Sequence, residues 1–280
     1  MGDLALGVVV ALTDEDVPVT DVATAVEEAG LESLFFCEHN HVPASRVDLL
    51  EDPFQARIPR ILDQFTALGA AAAVTSDLRL GTACCIVPQH DPMLLAKQVA
   101  TVDHISGGRV LFGVGAGWIE EEMRNLGVRT AKRWDLMGDQ IAAMKAIWTH
   151  EAAEFHGQFV DFDPIWMWPK PAQLPHPPVL VGGSGPQSLR ITAVHGDGWL
   201  PIFDDTAELE DGLANLRREC DQLGRPAPPV SVCSWEVNEE LLIACAGRDV
   251  VRFVVMAPTN DLSTLESFLS RLAMLRQRVG

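Results

Sequence analysis

Eight short runs rich in β-branched and apolar residues recur along this chain with helical patterns between them, and no other feature narrows its fold as much. The runs lie at 4–11, 32–37, 79–86, 109–115, 178–182, 197–201, 230–235 and 251–256. Strands alternating with amphipathic helices signify parallel sheet with crossover helices. Eight strands close a barrel, whereas an open doubly wound sheet more often has about five or six. The helical patterns follow in step. Val22, Ala23 and Val26 mark the first, ended by Gly30. The second covers 61–74; the third covers 93–105, opened by Asp91-Pro92 and stopped by Gly107-Gly108. The fourth spans 120–148 with an interruption at Gly127, and 186–195, 206–223, 236–246 and 262–277 supply the rest. The spacing predicts one α/β domain over residues 1–280, a (β/α)8 TIM barrel with insertions after strands 2 and 4. The first insertion, 38–60, is rich in Pro, Asp and Arg. The second, 149–177, holds HGQFVDFD, which has the pattern of a short hairpin, and then a Pro/Trp segment, WMWPKPAQLPHPP. Loops this long are functional or disordered, and Trp166, Trp168 and the prolines favour order.

The charge balance restricts partners. With 39 acidic and 21 basic residues the net charge is −18, which argues against nucleic acid, because phosphate binding needs a basic surface. A phosphate would have to be held locally, by backbone amides and a few cations. No apolar run reaches the roughly 18 residues of a membrane helix, and no basic segment followed by an apolar one opens the sequence. The six cysteines, at 37, 84, 85, 220, 233 and 245, form no CxxC pair. A cytoplasmic protein without disulfides or a zinc framework is expected. Cys84 and Cys85 are neighbours on a strand, so one should face the barrel interior and the other the helices. Lys97 and Arg109 are expected to be structural, paired with nearby acids. The tryptophans at 148, 166, 168 and 199 are expected to be core or loop anchors.

In a βα barrel the active site is built from the loops that follow the strands. After strand 2 stand Glu38-His39-Asn40-His41, then Ser45-Arg46. A polar loop bonding itself is one reading, and acid–base chemistry is the other. The H-x-H spacing also suits a metal, but strands 5 to 8 end in Gly182-Gly183, Pro201, Trp235 and Ala257-Pro258, with no further ligand. No metal is expected. After strand 4 comes GVGAGW, residues 113–118, then Glu120-Glu121-Glu122. The glycines admit a flat ring close to the backbone, or simply make a tight turn before a helix whose acids suit its dipole. After strand 5, Gly182-Gly183-Ser184-Gly185-Pro186 leads into a helix, which makes an anion site or a flexible capped turn.

Four stretches in this order, AVEEAGLESLFFCEHNHVPASR, LRLGTACCIVPQHDPMLLAKQVATVDHISGGR, GVGAGWIEEEMRNLGV and PPVLVGGSGPQSLRITAVHGDGWLP, resemble the luciferase-like monooxygenase superfamily. Within it they resemble the actinobacterial branch that uses the deazaflavin coenzyme F420. The resemblance covers nearly the whole chain. It implies a hydride-transferring oxidoreductase acting on a small organic molecule, with His39 near the reactive edge of the tricyclic ring and Glu38 beside it. It implies that Ala83-Cys84 forms a bulge behind the ring, in some relatives with a non-proline cis peptide. It also implies that Gly115, Ala116, Gly117 and Trp118 line the ring's edge and that Gly182, Gly183 and Ser184 hold the phosphate. His39 is the expected catalytic acid or base, with Glu38 fixing its tautomer or structural, and His41 and Arg46 face the substrate or a lid. Sugar-phosphate dehydrogenases of the superfamily carry a glutamate where Trp118 stands, which turns the expectation toward an apolar or aromatic substrate. An FMN-dependent monooxygenase and a non-catalytic ligand-binding barrel are the alternatives. Pairing into a homodimer is also compatible with the resemblance.

Overall fold

The computed structural model describes residues 4–279. Eleven strands and nine helices follow one another in it. The strands are β1 (Ala5–Val10), β2 (Ser33–Phe36), β3 (Arg79–Thr82), β4 (Cys85–Ile86), β5 (Val110–Gly115), β6 (Ala152–His156), β7 (Asp161–Trp166), β8 (Val179–Gly182), β9 (Gly198–Leu200), β10 (Val230–Ser234) and β11 (Val250–Met256). The helices are α1 (Val19–Glu28), α2 (Gln64–Val74), α3 (Pro92–Ile105), α4 (Glu120–Asn125), α5 (Arg133–Thr149), α6 (Pro186–His195), α7 (Thr206–Gln222), α8 (Glu239–Ala246) and α9 (Leu262–Val279).

Nine of the strands run parallel in one sheet, ordered β3-β2-β1-β11-β10-β9-β8-β5-β4, and pairing of β3 with β5 closes it. Because β3 and β4 are two parts of one course of chain, the closed sheet has eight staves, as the eight runs predict. The two parts meet at Ala83-Cys84, whose peptide bond is cis, as the resemblance implies. Antiparallel β6 and β7 form the hairpin expected in the second insertion.

Parallel strands buried on both faces read as continuous apolar runs, because each alternate side chain enters a different core. Val9, Phe35, Leu111, Leu180, Leu200, Cys233 and Val254 fill the inside of the barrel. Their register neighbours Val8, Leu34, Phe112, Val181, Trp199, Val232 and Val255 enter the larger core under the helices. Cys84 packs with the inner group and Cys85 with the outer one, as alternation requires. Burying a side chain of this size stabilises by about 1.5–3 kcal/mol.

Helix ends follow their caps. Asp63, Asp91, Asp205 and Asn238 each accept hydrogen bonds from first-turn amides of α2, α3, α7 and α8. Gly127, with φ of +79°, separates α4 from α5, which is the interruption the sequence indicates. Two boundaries move. Helix α2 begins at Gln64 rather than residue 61, because Ile61 bridges Thr13 and the Leu62 amide bonds to the Leu12 carbonyl. Helix α8 begins at Glu239 rather than residue 236, where Asn238 caps it. Arg109 is structural, but its partners are the carbonyls of Ala72, Thr75, Leu78 and Ser106 instead of acids. Lys97 likewise donates to the Trp168 carbonyl. Trp148 and Trp199 are buried anchors, whereas Trp166, which ends β7, and Trp168 just after it lie exposed.

Candidate active site

The inner parity of each strand decides what reaches the C-terminal mouth of the barrel. Two residues beyond Phe35 is Cys37, and two further is His39. The same stepping brings Gly115 from Leu111, Gly182 from Leu180, Ile202 from Leu200, Trp235 from Cys233 and Met256 from Val254. Cys37, Ala83, Cys84 and Met256 pack on top of the inner core and form the floor. Burial pushes the Cys37 and Cys84 thiols up to about 12, so the floor is uncharged.

His39 is fixed from both sides. Its Nδ1 lies 2.8 Å from Oε2 of Glu122, and the indole Nε1 of Trp118 donates to its Nε2 at 3.2 Å. An indole nitrogen is a donor only, so Nε2 accepts and Nδ1 carries the hydrogen given to Glu122. Trp118 meets the imidazole edge-on, with centroids 5.8 Å apart, and is 51% exposed. Glu122 also accepts from the amides of Asn40 at 2.7 Å and His41 at 3.4 Å. Burial raises the Glu122 pKa, but the bonds from His39 and the two amides more than offset it, and the net direction is down. An imidazole held in this tautomer by a buried carboxylate can take a proton at Nε2 from a bound hydroxyl that replaces the Trp118 indole there.

Glu38 serves a different cluster. Its carboxylate accepts from the Ile86 amide and bonds Nε2 of His90 at 2.8 Å. With Cys85 it forms a group of metal-ligating side chains whose atoms lie within 4.8 Å of one another. This set comes from β2 and the β4 segment, not from the later strand ends considered in the sequence. Burial and the Glu38 charge hold the Cys85 thiol well above its ordinary value. Burial lowers the His90 pKa, and the bond and charge of Glu38 outweigh that, leaving it raised. The carboxylate that orients His39 is therefore Glu122, and Glu38 ties β2 to the chain after β4.

The glycine loops meet around Cys84. A Cβ on Gly182 would lie 2.4 Å from the Cys84 sulfur, and one on Gly115 would lie 3.2 Å from its Cβ. Gly117 and Gly183 hold φ of +78° and +91°, where other L-residues are strained. Ala116 points its side chain into the outer core, leaving its backbone at the mouth. The Gly183 carbonyl accepts from Ser188 Oγ at 2.6 Å and Trp199 Nε1 at 2.8 Å, which pins the loop at the start of α6. Among the described residues no acceptor meets the amides of Ser184, Gly185 and Gln187, and Ser184 is exposed. The Trp134 Nε1, buried and without a partner, belongs to a ring that comes within 3.9 Å of where a Gly183 Cβ would be. The free amides of this turn suit an anion such as a phosphate.

His41 and Arg46 are already engaged. Asn125 bonds His41 Nε2 at 2.9 Å, and Arg46 pairs with Asp48 at 2.8 Å and Glu121 at 3.2 Å. The 38–60 insertion contains short 3-10 turns at Val47–Glu51 and Gln55–Arg60. Val42, Leu49, Ile58 and Ile61 pack on Ile119, and Phe54 meets Trp235 edge-on with centroids 5.0 Å apart. Arg57 joins the same segment to Asp16, Thr259 and the Ala11 carbonyl. The insertion thus bridges loops after β1, β5, β10 and β11. A cavity of about 420 Å³ lies at the opposite end of the barrel, between α7 and α8 where β10 and β11 begin. Another, of about 640 Å³, lies beside Trp148, Trp168 and Lys170.

Neither the Glu122 partnership nor the Arg57 anchor is expected from the sequence. Glu122 is one of three adjacent acids, and only its contacts with His39, Asn40 and His41 distinguish it. Comparison with known proteins supplies an independent line. Residues 17–237 match the family described as luciferase-like monooxygenase. An uncharacterized protein of Mycobacterium tuberculosis is 40% identical over 274 residues, covering 95% of this chain and 96% of its own length. The FMNH(2)-dependent dimethylsulfone monooxygenase of Pseudomonas putida is 37% identical over 125 residues, 44% of this chain and 34% of that protein. Among solved structures, an F420-dependent secondary alcohol dehydrogenase in complex with an F420-acetone adduct has a TM-score of 0.79 at 15% identity, with 100% of both chains covered. At that identity the likeness concerns the fold.

Proposed function

The chain belongs to the luciferase-like monooxygenase family, and we propose that it moves a hydride between coenzyme F420 and a small organic alcohol or carbonyl compound. The observation that carries this is the tautomer of His39, a proton acceptor at the barrel mouth fixed by Glu122 and Trp118. The Gly182, Gly183 and Ser184 turn with the start of α6 would hold the cofactor phosphate, and Ala83, Cys84, Gly115 and Trp118 would bound its ring. When bound, the deazaflavin supplies a ring carbon that takes up or releases a hydride. His39 Nε2 accepts the proton of the alcohol as it is oxidised and returns it in the reverse direction. The Glu122 carboxylate stabilises the imidazolium formed in between. Trp118 yields its hydrogen bond to the substrate oxygen and remains as a wall, while the 38–60 insertion limits entry of water. The F420-dependent alcohol dehydrogenase of the same fold supports this cofactor and substrate type.

The partial match to an FMNH(2)-dependent monooxygenase favours a second reading, in which FMN occupies the same phosphate cradle. Two mixtures in aerated buffer separate the two: an alcohol panel with protein loaded with oxidised deazaflavin, and the same panel with protein and reduced FMN. Loss of the cofactor's visible absorption without oxygen uptake is the expected result. Oxygen consumption with reduced FMN, and no change with the deazaflavin, would replace it by the monooxygenase reading.

A further inference from the structure

We infer that the substrate compartment beside His39 takes an uncharged, predominantly apolar molecule and selects against anions, with Ile202 and Trp235 as specificity-determining walls. This rests on the assignment of the barrel mouth as the active site. The first observation is what the inner parity presents there. Ile202 and Trp235, each 43% exposed, stand two residues beyond Leu200 and Cys233 of the inner core, at the same parity. Ile202 is bridged to Cys233, so the two walls stand on adjacent staves. The Phe54 ring holds Trp235 edge-on at a plane angle of 73°, which fixes one aromatic wall under the 38–60 insertion. Below them lie the neutral sulfur groups of Cys37 and Met256.

The second observation is the state of every cation on the insertion. It carries three arginines, 46, 57 and 60, and no lysine. Arg46 is paired with Asp48 and Glu121, Arg57 with Asp16, and Arg60 with Asp14 and Glu15. His41 is occupied by Asn125. A carboxylate or phosphate on the substrate would lose its hydration against Ile202 and Trp235 and find each of these cations already neutralised. An uncharged skeleton loses little water and gains contact with both walls.

The test uses two ligands of one shape, 4-methylcyclohexanol and 4-hydroxycyclohexanecarboxylate, titrated calorimetrically into protein loaded with reduced deazaflavin, which cannot take a hydride from either, and into the protein alone. The methyl compound should bind more tightly by about tenfold or more. Trp235→Ala should weaken its binding by about fivefold or more while leaving cofactor affinity unchanged. Ile202→Arg, at a half-exposed position, should narrow or invert the preference by bringing an unpaired cation to the wall. Circular dichroism confirms that each variant is folded. Equal affinities, tighter binding of the carboxylate, or binding of neither compound would overturn the inference. Failure of the deazaflavin to bind, with the ligand preference intact, would count against the proposed cofactor and leave the compartment's selectivity standing.

Discussion

Replacing Glu122 by Gln removes one charge and almost no volume, and the structure says what should follow. The carboxylate receives the His39 Nδ1 hydrogen at 2.8 Å and the Asn40 amide at 2.7 Å, one on each oxygen, and is sealed from solvent. A glutamine side chain has one oxygen and one NH2, so either orientation sets a donor against a donor. If the NH2 faces His39, Nδ1 must become the acceptor, the hydrogen moves to Nε2, and the proton-accepting lone pair at the mouth is lost. If it faces Asn40, a buried amide is left unsatisfied. Either conflict costs about 1–3 kcal/mol, which corresponds to a fall in Tm of about 4–8 °C for a loss near 2 kcal/mol in a chain of this size. Turnover should fall by about 100-fold with cofactor affinity within a few fold. The assay is single-turnover reduction of bound deazaflavin, paired with 15N NMR of the imidazole to report the tautomer. The pH dependence has a definite sign. The folded Glu122 pKa is depressed below its ordinary 4.5, so its stabilisation is fully present above that pH and disappears as pH falls through the folded value. The Tm gap between wild type and E122Q should be widest near neutrality and shrink below pH 4.5. A variant with unchanged tautomer and turnover within about twofold would refute the reasoning.

Other substitutions separate the remaining roles. His39→Asn should slow turnover by about 100-fold or more while cofactor binding changes by a few fold at most; loss of binding would move His39 to a cofactor-holding role. Gly182→Ala should destabilise by about 1–3 kcal/mol through collision with the Cys84 sulfur, and Cys84→Ala added to it should restore much of the loss, since the Cys84 Cβ lies 3.7 Å from the new methyl carbon; thermal melts of the two singles and the double decide. Arg57→Met should strand the Asp16 carboxylate and cost about 2 kcal/mol by denaturant titration. Burial raises the Asp16 pKa, but the Arg57 and Thr13 bonds outweigh it, so the depressed group's contribution is present above pH 3.8 and should be lost only below it.

The barrel was legible because a parallel strand has two buried faces and four of the helices carry their own side-chain cap, so much of element type and order is written locally. The boundaries of α2 and α8 were not, since Ile61 is drawn out by a bridge to Thr13 and Asn238 outcompetes the preceding turn. In the site, strand alternation alone could have separated Glu38 from His39. Phe35, Cys37 and His39 share the inner parity, so Glu38 must turn toward the helix layer, where His90 and Cys85 wait. Glu122 was harder. Glu120, Glu121 and Glu122 are alike as a helix start, and only the contacts with residues 39–41 after β2 single out the third, while Glu121 pairs with Arg46 and Arg124. The Asp16–Arg57 tie joins residues far apart in sequence with no local signature.

A deazaflavin-dependent hydride transfer is tested first by titrating the purified protein with coenzyme F420 and, separately, with FMN, following each by calorimetry. The expected result is saturable, tight binding of the deazaflavin and weaker binding of FMN. Tight binding of FMN alone, or of neither, would contradict it.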